Sequence, residues 1–77
     1  VMEFEKIRKL VAEILKAEEE DISMNTSFAK DLGADSLEIF QLMIRIEDTF
    51  DIQIPSEVSY NLKTVKDVVD YVKHPPV

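Results

Sequence analysis

Asp31-Leu32-Gly33-Ala34-Asp35-Ser36-Leu37-Glu38, residues 31–38, is the stretch on which the reading of this chain turns. It contains the only glycine of the 77 residues and opens the longest amphipathic run. Asp35 is a good N-cap residue, and Glu38 three positions later completes a capping-box pattern, so a helix is expected to begin at about Ser36. Gly33 supplies a backbone conformation that other residues resist, as a turn before a helix needs. A hydroxyl at a helix start is ordinarily just a cap. Whether Ser36 is more than that depends on its surroundings.

The helix expected over 36–50 is too apolar for a single face. At about 100° per residue, Ile39, Leu42, Met43, Ile46 and Phe50 gather on one side as a core stripe. Leu37, Phe40 and Ile44 form a second stripe centred roughly 140° away, with Ser36 and Glu47 on the shorter arc between them. Asp48 adds an acid on the outer flank, beside the uncharged Gln41. An apolar stripe rimmed by acids and next to a singled-out serine reads as a partner surface. The same pattern also arises when a short helix packs between others and buries both sides. Periodicity leaves the two readings of Phe40 and Ile44 level.

On the N-terminal side, Phe4, Ile7, Leu10, Val11, Ile14 and Leu15 predict a core helix over about 3–17, with Glu5–Lys9 and Glu13–Lys16 able to pair on its outer face. Residues 18–35 read as a long connection, because Asn, Thr, Ser and Asp favour local turns. A loop of that length must pack or serve a function, and Ile22, Phe28 and Leu32 are its expected pins. On the C-terminal side, Ile52 and Ile54 pin an extended crossing that ends at Pro55. Ser56 is expected to cap a short helix over about 56–61. Thr64 with Asp67 caps a last helix over about 65–73, whose core stripe is Val65, Val68, Val69 and Val72 and whose stop is Pro75-Pro76. The fold class expected is therefore all-α, a small four-helix bundle of three longer helices and one short one, forming a single domain over 1–77.

Composition limits the function. The net charge is −7, and it is unevenly placed. Residues 31–57 carry Asp31, Asp35, Glu38, Glu47, Asp48, Asp51 and Glu57 against Arg45 alone. Such a field repels nucleic acid and anionic lipid and attracts proteins with basic patches. Acidic surfaces also simply keep small domains soluble. Apolar runs of two or three residues give no expectation of a membrane span or a leader. With no cysteine, the polypeptide has neither disulfides nor a thiol of its own.

Catalysis is not expected, nor is a metal site. The only histidine, His74, stands beside prolines near the end of the chain, a poor platform for a positioned base. The run from Asp31 lacks the alternating ligands of a calcium loop. What remains is Ser36 as an attachment point. At a helix start, free N–H groups and the positive end of the dipole favour a phosphate, and with nothing nearby to activate the hydroxyl, another enzyme must perform the modification.

The residues also carry a resemblance. Leu32-Gly33-Ala34-Asp35-Ser36-Leu37 resembles the phosphopantetheine attachment signature of acyl carrier proteins, the phosphopantetheine-binding carriers of bacterial type II systems. The likeness extends over nearly the whole chain, through Phe28, Asp31, Glu47, Phe50, Ile54-Pro55, Thr64-Val65 and Asp70-Tyr71. It implies a four-helix, non-catalytic carrier, monomeric and cytoplasmic. Ser36, flanked by Asp35 and Leu37, would receive 4′-phosphopantetheine from coenzyme A through holo-acyl-carrier-protein synthase. The arm would hold acyl chains as thioesters, which fits a chain without cysteine. Leu37, Phe40, Gln41, Ile44, Glu47 and Asp48 would meet fatty acid synthesis enzymes through their basic docking patches, and the core side of the helix would line a site for the acyl chain.

The leading expectation is a carrier for fatty acid biosynthesis. Gln41, Arg45, Thr49, Val58 and Tyr60 stand where members serving that pathway usually carry more acids. That points to the alternative of a carrier dedicated to a polyketide, lipid-modification or aminoacyl pathway, since rim charges act mostly on association. A third reading, from another class, is an acidic helical interaction module without a prosthetic group.

Overall fold

The computed structural model describes residues 2–75. Its elements in order are α1 (Met2–Leu15), a 3-10 turn (Glu19–Asp21), α2 (Ser36–Phe50), α3 (Ser56–Ser59) and α4 (Val65–Lys73). α1 packs against both α2 and α4. Ile7 and Val11 of α1, Leu42 and Ile46 of α2, and Val65 and Val68 of α4 are fully buried between them. The all-α bundle expected from periodicity is the fold, because α1, α2 and α4 each place an apolar stripe on the shared axis.

Helix ends are where expectation and structure differ. α1 stops two residues short of the expected Ala17, because Lys16 turns to φ 56° and the Ala17 N–H reaches back to the Ala12 carbonyl at 3.1 Å. That 6→1 bond closes the last turn as a Schellman motif does. α3 is shorter than the 56–61 expected, with Tyr60 and Asn61 in a turn after it. Ser56 does not cap α3. Pro55 occupies the cap position with no side-chain bond, and Ser56 is already helical, its carbonyl accepting the Ser59 hydroxyl at 2.9 Å. The Thr64–Asp67 capping box of α4 forms as expected. Pro76, read with Pro75 as the stop of that helix, lies outside the described residues.

The long connection is pinned as its sequence indicates. Ile22 and Phe28 are buried and Leu32 is half-buried. Its backbone is also stitched to the start of α4: Phe28 N–H donates to the Lys63 carbonyl at 3.1 Å, and Val65 N–H to the Thr26 carbonyl at 3.1 Å. Thr26, buried at 6% exposure, accepts the Ser23 N–H on its hydroxyl at 2.8 Å. This explains how so long a loop survives in so small a domain: its buried polar groups are met by another element.

The pairs expected within α1, Glu5–Lys9 and Glu13–Lys16, are not formed among the described residues. Glu13 instead bonds Arg45 of α2 at 3.3 Å, and Arg8 approaches Glu19 at 3.8 Å. The crossing of α1 and α2 sets the Arg45 guanidinium, with its several donors, beside Glu13. On α4 the exposed Lys66–Asp70 pair, 2.8 Å apart, lowers the Asp70 pKa, chiefly by hydrogen bonding from Lys66. A depressed carboxylate stabilises the fold above its ordinary pKa and loses that contribution as pH falls through the folded value, and at full exposure the effect is small.

Candidate functional site

Ser36 is the first residue of α2, and it is exposed. The hydroxyl is not the cap. Asp35 holds that role: its Oδ1 accepts the Glu38 N–H at 2.8 Å, while Glu38 Oε1 accepts the Asp35 N–H at 3.0 Å. Both halves of the box predicted from sequence are present, and they leave Ser36 Oγ without a hydrogen-bond partner among the described residues. The N–H groups of Ser36 and Leu37, two of the four that a helix start cannot satisfy internally, have no partner among the described residues either.

The turn that presents this serine is held from both sides. Gly33 takes φ 66°, its N–H bonds the Ala29 carbonyl at 3.1 Å, and the Ala34 N–H bonds the Phe28 carbonyl at 2.9 Å. Asp31 Oδ2 accepts the Ser27 N–H at 2.7 Å, closing the preceding turn. A Cβ at position 33 would meet nothing within 4 Å, so only the backbone conformation resists substitution. Gly33→Ala is therefore expected to lose about 1 kcal/mol in urea denaturation, the usual penalty of a left-handed non-glycine residue. A loss above about 3 kcal/mol would mean that the site depends on contacts the geometry does not contain.

The second stripe of α2 faces outward. Leu37 is 63% exposed, Phe40 61% and Ile44 39%. The core stripe behaves differently: Leu42, Met43 and Ile46 are buried, while Ile39 and Phe50 are half-buried. So the two readings of Phe40 and Ile44 resolve to an open apolar surface, flanked by the exposed Gln41, Arg45 and Asp48. Glu47 stands apart from these. It is half-buried, and its Oε2 accepts the Ile54 N–H at 2.6 Å, tying α2 to the crossing that follows. Much of its carboxylate is thus engaged inside the chain.

Next to Ser36 lies an open groove of about 460 Å³, in the size range of small-molecule sites. Phe28, Ile39 and Leu62 give it apolar walls, Ser36 and Phe40 border it on α2, and Tyr60, 82% exposed, lines it from the turn after α3. Lys30, Lys63 and the hydroxyls of Ser27, Ser56 and Ser59 add polar groups. Residues 59–63 carry no motif and lie far from Ser36 in sequence, whereas Phe28 is an expected loop pin a few positions before it. Only the stitching of the long connection to α4 brings the two segments together, so sequence periodicity could not have found the groove.

Chemically, the site offers an exposed hydroxyl at the positive end of a helix dipole, free N–H groups and two cations that line the same groove. That donor set fits a phosphate ester on Ser36. No base among the described residues bonds the hydroxyl, and His74 stands at the C-terminal cap of α4. Among the described residues no group of histidines and acids could hold a metal ion, and no helix is long and apolar enough to cross a membrane.

Residues 5–72 match the family described as the phosphopantetheine attachment site. The chain is similar to the acyl carrier protein of Clostridium acetobutylicum, at 43% identity over 72 residues, covering 94% of each chain.

Proposed function

The chain belongs to the acyl carrier protein family, and from that membership we propose that Ser36 is the residue to which 4′-phosphopantetheine is attached and that the acyl groups carried are those of fatty acid biosynthesis. As a member of the family the chain is a non-catalytic carrier, which sets aside an interaction module without a prosthetic group. The observation that carries the assignment to Ser36 is its exposed hydroxyl, unbonded at the head of α2 because Asp35 has taken the capping role.

When attached, the group supplies the thiol that the polypeptide lacks, and holds acyl chains as thioesters. The chain's own residues present and position it. Asp35 and Glu38 fix the first turn of α2, and the Gly33 turn projects Ser36 from the surface. Leu37, Phe40 and Ile44, with Gln41, Asp48 and the unbonded part of Glu47, form the face that meets holo-acyl-carrier-protein synthase and the pathway enzymes. Burial of this apolar patch would provide the contact energy, and the acids of residues 31–57 would steer basic docking patches toward it. The groove beside Ser36 would shelter the acyl chain. The carrier acts as a cytoplasmic monomer.

The decisive measurement is an intact mass after incubating the apo protein with coenzyme A and a broad-specificity phosphopantetheinyl transferase. A gain of one arm is expected, and no gain would overturn the assignment. A second pathway reading has its own support: the uncharged Gln41 is exposed within the docking face, where a purely acidic surface would favour basic partners. A carrier dedicated to polyketide, lipid-modification or aminoacyl chemistry would accept such a change. Offering the loaded protein to the transacylases and synthases of each pathway separates the two.

A further inference from the structure

Taking Ser36 as the attachment residue, we infer that Lys30 and Lys63 seat the phosphate of the arm at the mouth of the groove, and so lay the arm along the groove rather than out into solvent. A phosphodiester formed on Ser36 Oγ keeps one negative charge next to that oxygen. The surrounding segment is strongly acidic, and by itself would push the charge away from the surface. The nearest acids in sequence are each engaged with backbone: Asp31 with the Ser27 N–H, Asp35 with the Glu38 N–H, Glu38 with the Asp35 N–H.

Against this field, two cations line the same groove as Ser36. Lys30 comes from the long connection and Lys63 from the residue pair before α4. The Phe28–Lys63 backbone bond and the antiparallel bridge between Ser27 and Thr64 hold the two segments side by side. The Lys30 backbone is fixed further by its N–H donating to Ser27 Oγ at 3.1 Å. Arg8, Arg45 and Lys66 have acidic partners, whereas Lys30 and Lys63 form no ion pair among the described residues. Their charge is available to an anion at Ser36. A phosphate held there aims the rest of the arm at Phe28, Ile39 and Leu62.

Because the chain has no cysteine, the terminal thiol of the arm can carry a nitroxide at that one place. Loading is first verified by intact mass. In the labelled holo protein at low salt, amide signals of Leu62 and Lys63 should broaden more than that of Gln41 on the outer face. In Lys30→Gln/Lys63→Gln, and in wild type at about 0.5 M salt, the excess broadening should fall about twofold, the size expected for exposed charge pairs. Both lysines are exposed, so the double variant folds. Full loading with equal broadening at the two places, or broadening unchanged in the double variant, overturns the phosphate seat and leaves Ser36 standing. No gain in mass removes both.

Discussion

Ser36→Ala is expected to show no gain in mass with coenzyme A and a phosphopantetheinyl transferase, and yet to melt within about 3 °C of the wild type. The two halves of this result come from one geometric fact. Ser36 Oγ bonds nothing among the described residues, so its removal leaves no buried group unsatisfied. Alanine is also the best helix former, and the position is already helical. Asp35→Ala gives the converse: it deletes a bond to the Glu38 N–H and should cost about 1 kcal/mol, while the hydroxyl remains available. If Ser36→Ala destabilised the domain as much as Asp35→Ala, the serine would be a cap after all. Mass and urea denaturation on the same two variants decide the matter.

Phe28→Ala is expected to carry the largest stability cost, about 3–5 kcal/mol. Phe28 is 1% exposed and is the largest fully buried side chain. A domain of this length has on the order of 4–11 kcal/mol in total, so the variant should lose a large share of its urea midpoint and be partly unfolded when warm. The loss should also reach the site. Phe28 bonds Lys63 through its N–H and Ala34 through its carbonyl, so the cavity lies under both the groove wall and the Gly33 turn. Phe40→Ala removes the same atoms from a residue that is 61% exposed, and should cost less than about 1 kcal/mol. Equal losses in the two variants would contradict the burial of Phe28 and the exposure of Phe40. Partner binding should rank them the other way, with Phe40→Ala the more damaging.

The contrast between those two phenylalanines marks the boundary of what was legible in the sequence. Phe28 was legible as a pin of the long connection, whereas the second stripe of α2 left Phe40 level between burial and solvent, and only its 61% exposure decides between them. The caps were a different case. Asp35 with Glu38, and Thr64 with Asp67, satisfy backbone groups three residues away, so pattern alone located both helix starts. The ends of α1 and α3 were read less well, while those of α2 and α4 fell where expected. Lys16 adopts a left-handed conformation that its residue type does not announce, and Ser56 is a helical residue rather than a cap, with Pro55 in the cap position.

Charge shows the same division. That residues 31–57 are acidic is a count, but where each charge is used is not. Arg45 is committed to Glu13 across the α1–α2 crossing, 32 positions away, and Glu47 to the backbone of Ile54. An electrostatic map drawn from sequence would leave both fully available to a partner. It would also miss Lys30 and Lys63, which share a groove with Ser36 only because two loops are hydrogen-bonded together.

By itself, then, the sequence determined the four-helix bundle, the start of α2 at Ser36 and the exclusion of a self-activated hydroxyl. Each rests on interactions within a turn or two of helix, where periodicity and capping chemistry act. The tertiary structure alone decided which stripe of α2 the bundle covers. α3 has only four residues and cannot shield a second face, so Leu37, Phe40 and Ile44 remain in solvent. Burial is a property of neighbours, and the neighbours are chosen by the fold.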